Sequence, residues 1–220
     1  IARARLPHPT LVLDVGAGPG GFLAPLTDWF VAPVVAIEPS SAMRAEARAA
    51  GVSPGRPYVA AWAEALPVRS GAAGLAWLST VVHQCADRPG VAAELRRVVR
   101  PEGRVLVRGF FSDMRLTGLL GSFPGIERAA ATFPSTDEIV ATFQAAGFTL
   151  DTIHDVVEPW RTDLATWLAR VHSIRHTDSA LRPLHDHEFA EGVRIVTDTY
   201  RDAAAPIASD TTLRLLVLAA

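Results

Sequence analysis

The stretch Leu11-Val12-Leu13-Asp14-Val15-Gly16-Ala17-Gly18-Pro19-Gly20-Gly21 limits what the chain can become more than any other. Its apolar start suits a buried strand, and the glycines that follow suit a backbone that bends sharply and admits a ligand to contact distance. One carboxylate, Asp14, is carried into that turn. The pattern predicts a cofactor loop between a first strand, Leu11 to Val15, and a helix from about Gly20 to Phe30, with Pro25 near its first turn.

Two motifs overlap in the loop. Gly16, Gly18 and Gly21 spell G-x-G-x-x-G, the dinucleotide-binding fingerprint in which N–H groups at a helix N-terminus hold a pyrophosphate. Asp14, Gly16, Gly18 and Gly20 spell D-x-G-x-G-x-G, which resembles motif I of class I S-adenosylmethionine (SAM) methyltransferases. A carboxylate just before the loop suits a ligand with an ammonium and a sulfonium better than a pyrophosphate.

Val34 to Ile37 reads as a second buried strand ending at Glu38. A helix over 42–50 follows, with Ser40 as N-cap and Gly51 as its stop. Glu38 lies about twenty residues beyond the glycine turn, where a carboxylate can accept from both ribose hydroxyls. That feature supports a nucleoside and is shared by NAD and SAM folds. The third strand is Pro57 to Ala60.

The segment Ala61-Trp62-Ala63-Glu64-Ala65-Leu66-Pro67 resembles the D-A-E-A-L-P segment of the type-11 methyltransferases, which include ubiquinone and menaquinone C-methyltransferases. An Asp in that segment meets the adenine amino group in the family, and Trp62 stands at the matching position here. Tryptophan offers a face for stacking and no acceptor. Three readings are open: Ala63 reads the adenine through its backbone, Glu64 substitutes for the Asp, or Trp62 is a packed core residue at a strand end.

Gly74 to Thr80 is the fourth strand and leads into Val81-Val82-His83-Gln84. The family often has a His there, facing the methyl group and the acceptor. His83 is therefore the candidate general base or orienting donor, with a structural role the alternative. A helix from Pro89 through Val99 precedes the turn Arg100-Pro101-Glu102-Gly103-Arg104 into strand five, Val105 to Phe111. The segment from Glu94 to Val107 resembles the family's L-R-R-V-L-R-P-G-G-R-L, with Glu102 in place of the first glycine.

The second half departs from a simple repeat. Ser112 to Phe133 suits a mobile substrate loop with a short helix. Ser135 to Glu138 suits a capping box ahead of a helix ending at Gly147, and Phe148 to Val157 a sixth strand. Residues 160–205 are expected to form two helices over the substrate pocket, and Thr211 to Leu218 a last, antiparallel strand. His185-Asp186-His187-Glu188 reads as a helix N-terminus rather than a metal site, because i and i+2 point to different sides of a helix.

The resemblance implies an α/β, Rossmann-like doubly wound seven-stranded sheet, mostly parallel with an antiparallel last strand, in one domain with lid segments at about 112–134 and 160–205. It implies SAM as cofactor, S-adenosyl-L-homocysteine as product, no metal, and contacts from Asp14, Gly16, Ala17, Gly18, Gly20, Glu38, Pro39, Met43, Trp62, Ala63, Glu64, Thr80 and His83. The activity it implies is methylation of a small molecule, which the aromatic residues make reasonable as an apolar or aromatic acceptor. A SAM-binding protein without methyl transfer and an NAD-dependent oxidoreductase are the competing readings.

Composition narrows the partners. A formal net charge of -2 with no dense basic run argues against a nucleic-acid backbone. No apolar run reaches membrane-spanning length, and a single cysteine allows no internal disulfide, so a soluble cytoplasmic protein is expected. The chain has neither Lys nor Asn, which reads as codon bias of a GC-rich bacterial genome and removes any lysine-based mechanism. It begins at Ile1, so a front piece, such as the N-terminal helix that covers the cofactor in related enzymes, is expected to precede it.

Overall fold

The computed structural model describes residues 8–52, 57–203 and 205–220. Seven strands form a single sheet in the order β3-β2-β1-β4-β5-β7-β6. The strands are β1 (Val12–Val15), β2 (Val34–Ile37), β3 (Tyr58–Val59), β4 (Ala73–Ser79), β5 (Val99–Gly109), β6 (Thr149–Thr162) and β7 (Ile207–Ala219). Pairings among β1 to β5 are parallel, and β7 runs antiparallel to β5, from Arg104 opposite Ala219 to Gly109 opposite Arg214. This is the expected doubly wound sheet with its antiparallel last strand.

The chain divides into two compact units. The first comprises Ile1–Gly109, Asp137–His154 and Arg214–Ala220, and holds β1 to β5 with α1 (Leu23–Phe30), α2 (Ser41–Ala49) and α3 (Arg88–Val98). Its buried strand residues Val12, Val34, Leu75, Trp77 and Leu106 pack with Leu23, Leu26 and Phe30 of α1, the apolar stripe of that helix. Helix α1 starts three residues later than its sequence suggests. Gly20 takes a φ of +89°, a left-handed conformation that cannot belong to a helix.

The second unit comprises Phe110–Thr136 and Asp155–Leu213. The stretch expected to be a loop with a short helix contains that helix, α4 (Ile126–Ala130), and before it a 3-10 helix, Gly118–Ser122. This unit ends its first segment at Thr136, which donates to Asp113 through both its backbone N–H and its hydroxyl and is the first residue of α5 (Thr136–Ala145), the rest of which belongs to the first unit. Helices α6 (Leu164–Ile174) and α7 (Asp186–Tyr200) supply Trp167, Val171, Phe189 and Val196 to a core with Leu119, Phe123 and Leu181. His185 is the N-cap of α7, and Glu188 returns a bond to its backbone N–H, so this tetrapeptide is a helix start. A small cavity of about 50 Å³ lies between Leu116, Leu120, Trp160 and Thr211.

Glu102 lies within β5, between Val99 and Arg104 where the register against β4 shifts, and has a φ of +68° at a position where the resembling family has glycine. A side chain in the left-handed region costs about 1–2 kcal/mol, part of which glycine gives back as unfolded-state entropy. Glu102→Gly is therefore expected to stabilise the protein by about 0.5–1 kcal/mol, read as a higher urea midpoint with an unchanged slope.

Candidate functional site

The sheet's connections change direction between β1 and β4, since β2 and β3 continue to one side and β5 to the other. In open α/β sheets, ligands bind outside the carboxyl ends of the strands at such a point. Asp14 lies there, one residue from the end of β1, paired with Ala36 on one side and Trp77 on the other.

The glycine loop is pinned to the end of β2. The N–H groups of Gly16 and Ala17 both donate to the Ile37 carbonyl, at 2.8 and 3.1 Å. Gly16, Gly18 and Gly20 all have positive φ, whereas Gly21 does not. A Cβ on Gly16 would meet Val81 at 2.4 Å and one on Gly20 would meet Val52 at 2.9 Å, while one on Gly21 would meet nothing within 4 Å. The backbone therefore requires the glycines of D-x-G-x-G-x-G and leaves the last glycine of G-x-G-x-x-G without a structural demand.

Glu38 closes the loop from the β2 side. One carboxylate oxygen accepts from the Gly18 N–H at 2.9 Å and the other from the Ser40 N–H at 2.8 Å. Arg44 donates to the carbonyls of Glu38 and Pro39 at 2.6 and 2.8 Å, holding the strand end in place. Ser40 caps α2 by accepting from the Met43 N–H at 3.3 Å. Tyr58, which the sequence shows only as a strand residue, donates its hydroxyl to the Gly18 carbonyl. The Gly18 peptide is thus held by a carboxylate on one side and a phenol on the other.

Asp14 is 2 % exposed, and its Oδ2 is buried with no hydrogen-bond partner among the described residues. Burial, and then the nearby Glu38 charge, push its carboxyl from 3.8 up to about 7. Burial and the same two carboxylates push the Tyr58 phenol up to about 12, so it remains a donor at any working pH.

Two loops complete the strand-end surface of this unit. After β4, Thr80 has a φ of +56°, and its N–H donates to the Arg108 carbonyl at 2.7 Å. A non-glycine residue held in that region is the kind of strain found at functional sites. It turns the chain so that Val81 packs on Gly16 and a 3-10 turn, Val82–Gln84, presents His83. After β3, Trp62 is 68 % exposed, which overturns the packed-core reading. Ala63 beside it is buried, and Glu64 is partly buried and acts electrostatically on Cys85. The residues with no clear signal in the sequence are Tyr58, Val81 and Arg44. Each acts by its position relative to the loop, through contacts made across strands or one helical turn away.

Residues 13–107, which hold every one of these side chains, match the family model described as a methyltransferase domain. They form a type-11 methyltransferase domain. The malonyl-[acyl-carrier protein] O-methyltransferase of Pseudescherichia vulneris is 38% identical over 105 residues, which are 48% of this chain. The match spans only 41% of that relative's length.

Two solved structures share the fold at low identity. A candidate methyltransferase from an antibiotic biosynthesis pathway of Anabaena variabilis has a TM-score of 0.69 at 18% identity, covering 98% of this chain and 92% of that one. Geranyl diphosphate C-methyltransferase from Streptomyces coelicolor, solved with S-adenosyl-L-homocysteine, has a TM-score of 0.57 at 16% identity, covering 96% and 72%.

SAM is the cofactor of this family, and the type-11 domain's own residues fit it. Gly18 faces open space at the tip of the turn, Asp14 has a buried acceptor atom still to be satisfied, and Glu38 stands at the strand end and binds the Gly18 N–H.

Proposed function

We propose that this chain transfers a methyl group from SAM to a small-molecule acceptor in the bacterial cytoplasm, as part of secondary metabolism. The observation that carries the reading is the Gly18 cradle, with Glu38 and Tyr58 on its two sides and the buried carboxylate of Asp14 near the end of β1. The antibiotic-pathway relationship of the Anabaena protein supports the metabolic setting.

In this reading Gly16 to Gly20 receive the amino-acid end of SAM through backbone N–H groups, and Asp14 meets its ammonium. Glu38 exchanges its bond to Gly18 for the ribose hydroxyls, while Tyr58 keeps the Gly18 carbonyl in place. Pro39, Met43, Trp62, Ala63 and Glu64 border the base, and Thr80 fixes the turn that carries His83. SAM supplies a methyl group already activated on a sulfonium, so the protein needs to orient the acceptor, exclude water and manage one proton. In this reading His83, carried on that turn, takes a proton from a hydroxyl or amine nucleophile.

Calorimetric titration with SAM and S-adenosyl-L-homocysteine tests the reading, and an intact protein that binds neither would sink it. Glu38→Ala is expected to weaken both by about tenfold to a hundredfold, the effect of losing a charged partner to two hydroxyls. Unchanged affinity in that variant would remove the ribose assignment.

A further inference from the structure

This inference rests on the SAM reading and concerns how the base is read. We propose that the protein recognises the cofactor's purine by stacking on Trp62 and not through the 6-amino group, so that it accepts cofactors altered at that position.

Glu38 sits between the ends of β1 and β3. Its N–H donates to the Val59 carbonyl at 3.0 Å, and its carboxylate reaches Gly18 on the other side. A nucleoside held at Glu38 by its ribose meets the glycine loop towards β1, so its base extends towards the turn after β3. Trp62 stands on that turn, three residues beyond Val59, as the described residue where a large aromatic ring is most exposed. Indole rings normally bury most of their surface, and one left in water beside a nucleoside site is a stacking platform in search of a planar partner.

The backbone turn that carries the platform is fixed in place. The Trp62 carbonyl accepts from the Ala65 N–H at 3.1 Å. Glu94 accepts from the Leu66 N–H at 2.7 Å, and Arg97 donates to the carbonyls of Leu66 and Val68 at 3.0 and 2.8 Å. Glu94 and Arg97 also bind each other at 2.6 Å, so two residues of α3 hold the whole turn. With the backbone held, stacking has only the two side-chain torsions of the indole left to order. Indole has a donor and no acceptor, so Trp62 cannot bond an exocyclic amino group as an Asp would. Stacking is indifferent to that group, since every purine presents the same face.

The test is calorimetry of the intact chain with S-adenosyl-L-homocysteine and with its 6-desamino analogue, which carries hydrogen in place of the amino group and keeps the ring nitrogens. The two are expected to bind within about fivefold of each other, since stacking is common to both. Trp62→Ala is expected to weaken both together by about tenfold, the loss of one base–aromatic stack. Trp62→Asp is expected to favour the amino form by about tenfold or more, the worth of a charge-assisted hydrogen bond. Trp62 is exposed, so these variants keep the fold, and an unchanged Tm verifies that.

A wild-type preference for the amino form beyond about fivefold overturns the proposal while leaving the SAM reading intact. If Glu64→Gln then abolishes that preference, Glu64 is the group that reads the base. Equal affinities in the Trp62→Asp variant also overturn it. Failure of both ligands to bind the wild-type protein overturns the SAM reading and this proposal with it.

Discussion

Gly16→Ala is expected to destabilise the protein by about 2–4 kcal/mol and to abolish measurable SAM binding. Two separate costs add. At φ +71° any L side chain is strained, and the new Cβ would lie 2.4 and 2.9 Å from the two Val81 methyl carbons. Neither side can give way easily. The Gly16 N–H is tied to Ile37, the Val81 carbonyl accepts from Gln84 at 2.7 Å, and a β-branched side chain has few rotamers to escape into.

The other loop glycines separate the two costs. Gly18 shares the left-handed conformation at φ +54° but has no neighbour within 4 Å, so Gly18→Ala should cost only the strain, about 1–2 kcal/mol. Gly21 has neither feature, and Gly21→Ala should stay within about 0.5 kcal/mol of wild type. Pairing Gly16→Ala with Val81→Ala should recover the clash and leave the strain. Urea denaturation of the series measures this order, and a Gly16→Ala/Val81→Ala protein no more stable than Gly16→Ala would exclude the clash as a cause.

Asp14→Asn is expected to act in opposite directions on stability and on binding. The Asp14 carboxyl of the cofactor-free protein is held near 7, first by burial and then by Glu38, far above its ordinary 3.8. Tyr58 faces the same groups and stays neutral, so it offers no compensating charge. A group whose folded pKa is raised contributes its stability in full below the unfolded value, and the contribution is lost as pH rises towards the folded value. Wild type should therefore lose stability between about pH 4 and pH 7 relative to Asp14→Asn. Above pH 7 the variant should be the more stable by about 2–4 kcal/mol.

Cofactor binding carries the reverse sign. The ammonium of SAM favours the ionised carboxylate, so wild-type affinity should fall by about five- to tenfold from pH 7.5 to pH 6, as the empty site takes up a proton. Asp14→Asn should bind SAM weakly at pH 7.5 and show no such slope. Calorimetry in two buffers of different ionisation heat reads the proton directly, and a flat wild-type profile would remove Asp14 from the ammonium's neighbourhood.

Most of the first unit is legible in the sequence. Apolar runs set β1, β2 and β4, Ser40 and Gly51 bounded α2, and the order of motifs gave the doubly wound sheet with its antiparallel final strand. These features are legible because strand burial, caps and left-handed turns are local, and each demands a residue type at a fixed offset. Glu38 was visible for the same reason, as an acid placed at a strand end. Less was readable after Gly109, where a short helix was expected in the loop but neither the bounds of α4 nor the 3-10 helix before it could be given, since their apolar residues are too few to show a period.

Which loop glycines the backbone requires depends on tertiary contacts. Two motifs share Gly16 and Gly18, and letters alone cannot say whether Gly20 or Gly21 is the third glycine. The fold answers through Val52 beside Gly20 and open space beside Gly21, contacts that depend on residues thirty positions away. The phenol of Tyr58 on Gly18, the methyls of Val81 on Gly16 and the exposed face of Trp62 are of the same kind. Sequence specifies side chains and local geometry. Which atoms meet across parallel strands is set by sheet register and by how each strand end turns, and that exists only once the chain has folded.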